Sequence, residues 1–160
     1  MMIPESAVKE SLMKLKQLSV FLENAPGRLY EVLQALAAAG LNLKALCISD
    51  TSAFGVLRIL VSDVVTARRV IMEMHLPARV DEVIVAEIDD HPGSLARVLF
   101  PFKETQVNVE YLYALSGPGA APGKAVMIFR FSDNDQAMKI MLDNRIKLLD
   151  TQALGMLEQG

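Results

Sequence analysis

Apolar residues follow two alternating periods along this chain, and the order of those periods repeats. Leu18, Val20 and Leu22 recur at every second position until Asn24-Ala25-Pro26-Gly27 stops the run, which predicts a strand over Leu18–Glu23 and a turn. From Arg28 the spacing changes: Leu29, Val32, Leu33, Leu36 and Ala37 fall on one helical face, and Gly40 supplies a left-handed stop. Asn42–Ile48 reads as a second strand, Asp50-Thr51-Ser52 as a hairpin turn, and Phe54–Val61 as a third strand rich in branched residues. Ser62-Asp63 caps a second helix with Val64, Ala67, Ile71 and Met74 on its apolar face, and Leu76–Val80 closes the unit as a short strand.

The same order then recurs. It runs as a strand over Val83–Ile88, a turn over Asp89–Gly93, a helix from Ser94, a hairpin of Val107–Leu115 and Lys124–Phe131, a helix over Ala137, Ile140 and Met141, and a last strand at Ile146–Leu149. Ser132 and Asp135 have the spacing of a capping box. Pro101 falls inside the predicted helix, where it removes a hydrogen bond, so a kink or an early end is expected there.

Residue identities repeat with the pattern. Pro26, Gly27, Leu29, Val32, Leu33, Asn42 and Leu46 meet Pro92, Gly93, Leu95, Val98, Leu99, Asn108 and Leu112, each 66 positions later. Past the Gly117–Gly123 stretch the spacing becomes 70, and Val56, Ser62, Asp63 and Ala67 meet Val126, Ser132, Asp133 and Ala137. A Gly- and Pro-rich turn absorbs such an insertion at small cost. The reading is an N-terminal extension over 1–15, a first module over 16–81 and a second over 82–160. Met1–Lys16 is read as a lead-in or one short amphipathic helix, not a secretory signal.

The order β-α-β-β-α-β gives an antiparallel four-stranded sheet with helices on one face. The fold class is therefore α+β, as two tandem ferredoxin-like βαββαβ modules. The third strands carry Leu57, Ile59 and Val61, or Met127, Phe129 and Phe131, on one face. The other face carries Val56, Arg58 and Leu60, or Val126, Ile128 and Arg130. A strand apolar on both faces is covered on both, so a second layer or self-association is expected.

Composition narrows the chemistry. The 160 residues are 52% hydrophobic and 22% charged with a net charge of −3, which excludes a disordered chain and leaves no basic excess for nucleic acid. No apolar run is long enough for a membrane helix. A single cysteine, Cys47, excludes an intrachain disulfide framework and fits a reducing cytoplasm; in a strand it reads as a small core residue. No cofactor motif, metal-ligand cluster or nucleophile–base pair is present, so the chain reads as a non-enzyme. His75 falls at a helix end, where it can satisfy terminal carbonyls, and His91 in a turn. Phe129 and Phe131 are core residues if the first helix packs over their face, not a platform for stacking bases.

What remains is the repeated turn. Each copy has an acid, then Asn24 or Asp90, one residue, Pro, Gly, a variable residue and Leu. Pro-Gly can simply start a helix, and duplication alone can repeat it. A helix start also presents unpaired N–H groups, here those of Gly27, Arg28 and Leu29 or of Gly93, Ser94 and Leu95, which favour a carboxylate. Asn42 and Asn108 recur just after the first helix and are expected to emerge near the same edge of the sheet.

Asn24-Ala25-Pro26-Gly27-Arg28-Leu29 followed by Gly40-Leu41-Asn42-Leu43 resembles the signature of ACT domains, as does Asp90-His91-Pro92-Gly93-Ser94-Leu95 followed by Val107-Asn108-Val109. Copy two departs from the signature at Gln106, which replaces the helix-ending Gly, and at Pro101. The resemblance spans most of residues 16–152 and implies a stand-alone regulator that binds a small molecule, usually an amino acid, between two ACT domains. Carried over, one half-site is Asn24, Pro26, Gly27, Arg28 and Leu29 with Asn42 and Leu43. The other is Asp90, His91, Pro92, Gly93, Ser94 and Leu95 with Asn108 and Val109. A homodimer is implied, and any output would pass through another protein. The alternative is a regulatory subunit of an amino-acid biosynthetic enzyme, similar to the small subunit of acetolactate synthase.

Overall fold

A computed structural model describes residues 2–50, 53–115 and 120–157. The predicted turn at Thr51-Ser52 and residues Ser116–Gly119 of the insertion lie outside the described residues. The chain divides into two compact units. The first is Lys16–Asp81 with Gly155–Gly160, and the second is Met1–Leu15 with Glu82–Leu154.

In the first unit the chain runs through β1 (Lys14–Glu23), α2 (Arg28–Ala38), β2 (Leu43–Asp50), β3 (Phe54–Val61) and α3 (Val64–Glu73) into β4 (Ala78–Asp89). β3 is flanked by two antiparallel neighbours. Glu23 faces Phe54 and Leu18 faces Ile59 on one side, while Asp50 faces Gly55 and Leu43 faces Val61 on the other. Leu18, Val20, Leu22, Leu57, Ile59 and Val61 point to one face and meet Val32 and Leu36 of α2 and Ala67 and Ile71 of α3 in a single apolar cluster. Phe54–Val61 is the strand that its branched residues predicted. Asp63 is the N-cap of α3: its Oδ1 accepts from the N–H groups of Val65 and Thr66 at 3.1 and 3.2 Å.

The other face of this sheet differs from the expectation of a mostly apolar surface. Leu60 is fully buried there, and so are Gln17 and Ser19. Gln17 Nε2 donates to Ser19 Oγ at 3.2 Å, Ser19 Oγ donates to Asp81 Oδ2 at 2.9 Å, and Arg79 Nε reaches the same carboxylate at 3.1 Å. A buried carboxylate is tolerated because donors meet it. Cys47, expected in the core, is half-buried opposite Arg58, outside the apolar cluster.

The second unit contains α1 (Glu5–Leu12), the later residues of β4, α4 (Ser94–Leu99) with a 3-10 turn at Phe100–Phe102, β5 (Val109–Leu115), β6 (Lys124–Phe131), α5 (Asn134–Asp143) and β7 (Lys147–Leu149). The strand order is β5-β6-β4, with β7 paired to β4 on the other side. α1 buries none of its residues, although Met13, just after it, packs against the core. Phe129 and Phe131 are fully buried, and Phe131 stacks on Phe102 at 4.9 Å and on Phe129 at 5.4 Å, so these rings build the core. Val126 and Ile128 on the opposite face are buried too, so both faces of β6 are out of water over Val126–Phe129.

Two local readings need correction, and a third holds. Two strands were expected over Leu76–Val80 and Val83–Ile88, but β4 is continuous, because no Gly or Pro interrupts Arg79–Val85 and Asp81 is held in the strand by Ser19 and Arg79. The cap of α5 is Asp133, which accepts from Gln136 N–H at 3.0 Å, not Ser132 with Asp135. Ser132 Oγ instead accepts from Asn108 N–H at 2.9 Å, and Asp135 pairs with Lys14. Finally, α4 does end early: the helix stops at Leu99 and Pro101 sits in the 3-10 turn, where a missing N–H is tolerated.

Candidate functional site

Both Pro-Gly turns have the same backbone. Gly27 has φ 86° and Gly93 has φ 87°, in the left-handed region where a side chain is strained, and a Cβ at either would meet no heavy atom within 4 Å. Glycine is thus required by the dihedral, and the space before it is open. Each glycine is the N-cap of its helix with no side-chain cap. Of the three N–H groups expected to be free, the middle one is used by the turn: Arg28 donates to Ala25 O and Ser94 to His91 O. Those of Gly27, Leu29, Gly93 and Leu95 meet no backbone acceptor among the described residues.

The side chains around the turns differ. In the first, Asn24, Pro26 and Gly27 are exposed, and Arg28 is neutralised by Glu31 at 3.2 Å and Glu23 at 3.5 Å. In the second, Asp90, His91, Pro92 and Gly93 are exposed, but Ser94 is buried and its Oγ lies 2.7 Å from His91 Nδ1. Arg97 Nη2, a pure donor, reaches the same nitrogen at 3.3 Å, which puts the neutral ring's proton on Nε2, toward Asp89 at 3.9 Å. Lys124 also hydrogen-bonds Asp89, holding that carboxyl below its usual range and raising its own ammonium. Leu29 and Leu43 pack against the first apolar cluster, Leu95 and Val109 against the second.

Asn42 and Asn108 are exposed but do not lie beside the turns of their own units. The register places Glu23 opposite Phe54 and Leu43 opposite Val61, so the Asn24 turn and Asn42 flank opposite ends of β3. The seven steps of β3 between them span roughly 23 Å at strand rise. Asp89 opposite Lys124 and Val109 opposite Phe131 repeat the separation in the second unit. The expectation of a shared edge therefore fails within a unit. The asparagines lock the sheet through their backbones: Asn42 N–H donates to Ser62 Oγ and Asn42 O accepts from Ser62 N–H, and Asn108 pairs with Ser132 in the same way.

Two concavities accompany these features. A groove of about 630 Å3 follows α3, lined by Val65, Arg68, Met72 and Val80, and includes no residue of the Pro-Gly turn. A cleft of about 540 Å3 in the second unit lies beside the Pro-Gly turn, between α4, the end of β4 and the α5–β7 connection, and Ser94 is on its wall. Nothing in the sequence reading pointed to that cleft. Among the described residues no group of three His, Cys, Asp or Glu is placed to hold a metal, and no helix is long and apolar enough to cross a membrane.

Known proteins place this fold. The family pattern described as an ACT domain pair matches residues 13–157. Protein BT0572 from Bacteroides thetaiotaomicron is 34% identical, with a TM-score of 0.83 over 92% of this chain and 99% of its own. The ligand-free regulatory subunit of aspartate kinase from Thermus thermophilus is 15% identical, with a TM-score of 0.59 over 82% of this chain and 93% of its own. Its counterpart from Thermus flavus is also 15% identical, at 0.56 over 88% and 93%. At those identities the two subunits share the fold alone. No protein of curated function matches the chain. By the family match and the full-length likeness to BT0572, the chain belongs to the family of ACT domain pairs.

Proposed function

We propose that the protein is a non-catalytic regulator that binds an amino acid, held on one side by a Pro-Gly turn and on the other by the start of the second strand of a separate ACT domain. One observation carries this reading: the chain caps some helices with side chains and leaves others open. Asp63 and Asp133 satisfy the starts of α3 and α5. The starts of α2 and α4 have only glycine, in one repeated left-handed geometry, with open space in front. A capping side chain in place of glycine would add only a few tenths of a kcal/mol to the helix, so the open start costs little. Leaving it out keeps N–H groups available to a carboxylate.

A zwitterion also needs acceptors for its ammonium. The amide oxygens of Asn24 and Asn42, and the Asp90 carboxylate, are exposed and chemically suited. Because Asn42 sits at the far end of β3 from its own turn, the complementary wall belongs to another ACT domain, and a homodimer supplies one. The ligand acts by binding one arrangement of domains better than another, and only that difference can be transmitted.

The experiment is a thermal-shift and calorimetric screen of the twenty amino acids, with molecular mass measured in parallel. At 100 times its Kd a ligand stabilises by about 2.7 kcal/mol. One amino acid should raise the melting temperature of a dimeric chain. No shift and no heat from any of them at millimolar concentration removes the reading. A stable complex with a large enzyme on co-purification would instead favour the subunit role.

A further inference from the structure

The cleft beside the second Pro-Gly turn has a charge imbalance that its counterpart in the first unit lacks. Four cations line it, Arg97, Lys124, Arg145 and Lys147, against two acids, Glu87 and Asp89. Both acids are already answered: Lys147 Nζ lies 3.2 Å from Glu87 Oε1, and Lys124 binds Asp89. Among the described residues Arg97 hydrogen-bonds only the His91 ring nitrogen, and its charge is felt at Asp89 without an ion-pair contact. Among the described residues the Arg145 guanidinium meets no acceptor. Two guanidiniums around one concavity thus have no carboxylate within hydrogen-bond or ion-pair distance among the described residues. Val98, Pro101 and Ile146 supply an apolar wall.

The repeat offers an internal control. Where the second unit has Arg97, Lys124, Arg145 and Lys147, the first has Glu31, Phe54, His75 and Pro77. The backbones correspond: His75 and Arg145 both have φ 57°, each just past its helix, and each following residue donates to a carbonyl in the last turn, Leu76 to Ile71 and Ile146 to Met141. Glycine is the residue that ordinarily takes this left-handed position. The second unit keeps an arginine there and directs it to the cleft. Duplication supplied the frame, and every one of the four basic positions is particular to one copy.

We propose that this cleft binds a small organic carboxylate that carries no ammonium group, its carboxylate held by Arg145 and Arg97 and its apolar body against Val98, Pro101 and Ile146. Guanidinium forks match a planar carboxylate in two-point geometry. An amino acid fits less well, since the acids that would receive its ammonium are bound to lysines. The site is separate from the one proposed at the turns, of whose residues it shares only Ser94.

The test is titration of the full chain with 4-methylpentanoate, its 2-oxo analogue, leucine and inorganic phosphate, followed by calorimetry and by backbone amide resonances. The two acids without an amine should bind and move the amides of Arg145 and Ile146, with leucine at least about tenfold weaker at these amides. Arg145→Gly should weaken binding at least about tenfold, the loss of a charge-assisted pair, while raising the melting temperature because glycine relaxes the left-handed dihedral. Arg97→Gln should weaken binding with the fold intact, and Glu31→Ala should leave binding at this cleft unchanged. Phosphate moving the same amides as strongly means an adventitious anion only and overturns the proposal. So does undiminished binding in Arg145→Gly, or no binding of either acid at millimolar concentration. Loss of amino-acid binding at the turns leaves these outcomes untouched, so the two readings fail separately.

Discussion

Replacing the turn glycines with alanine isolates the backbone contribution of the Pro-Gly motif. Steric and dihedral costs usually arrive together, but here they separate. A Cβ at Gly27 or Gly93 meets no heavy atom within 4 Å, so the steric part vanishes. What remains is the cost of a side chain at φ 86° or 87°, about 1–2 kcal/mol for an L-residue in the left-handed region. Because the two turns share this geometry, Gly27→Ala and Gly93→Ala should cost the same within about 0.5 kcal/mol, although their side-chain surroundings differ. Urea unfolding read at residues of each unit measures this, with the midpoint falling and the slope unchanged. A cost under about 0.3 kcal/mol at either site would refute the dihedral argument, since surface changes of no consequence fall in that range. A cost above about 4 kcal/mol would mean that the space before the glycine is filled.

Three further outcomes follow from the packing and the charges. Asp63→Ala should destabilise more than Asp133→Ala, about 2 against about 1 kcal/mol, because Asp63 accepts two backbone N–H groups and the Thr66 hydroxyl while Asp133 accepts one; equal losses in denaturant unfolding would speak against the cap assignment. Phe131→Ala, which removes the ring shared by the Phe102 and Phe129 stacks, should cost about 3–5 kcal/mol, and a loss below about 1 would place the ring outside the core. Asp89 titrates below the usual carboxylate range because Lys124 hydrogen-bonds and attracts its charged form. Its folded pKa is lowered, so the pair's stabilisation is present above roughly pH 4 and is lost as the pH falls through the folded value. A carboxyl resonance titrating at or above the ordinary range, or unmoved by Lys124→Met, would contradict this.

The fold was largely legible because its strands are bounded by strong breakers. Phe54–Val61 and Lys124–Phe131 combine branched and aromatic residues with turn residues before them, and their limits were read to the residue. Pro101 announced the early end of α4. Where a tertiary partner decides, the local pattern misled. Ser132 has the chemistry of a cap but is engaged by the Asn108 N–H, leaving the role to Asp133. The buried Gln17–Ser19–Asp81 chain was invisible because its acid lies 62 positions from Ser19 and meets it only across strands.

The candidate site was half legible. Repetition marked the two turns, but their distance from Asn42 and Asn108 follows from strand direction, which the order of elements holds and residue spacing does not show. The cleft could not be found from the motif, since Arg97, Lys124, Arg145 and Lys147 come from α4, β6, the α5–β7 connection and β7. One signal was available: basic residues in copy two facing Glu31, Phe54, His75 and Pro77 in copy one. Position-by-position comparison of the copies for charge, beyond comparison for identity, would have exposed it.

The central claim is that the uncapped Pro-Gly turns receive an amino acid. Its most direct measurement is the backbone amide spectrum of the full chain, recorded while the amino acid selected by thermal shift is added. The account predicts saturable movement of the Gly27, Leu29, Gly93 or Leu95 amides, joined by Asn42 or Asn108 from the facing domain. Saturable movement elsewhere in the chain with those amides still, or no movement at all, would contradict it.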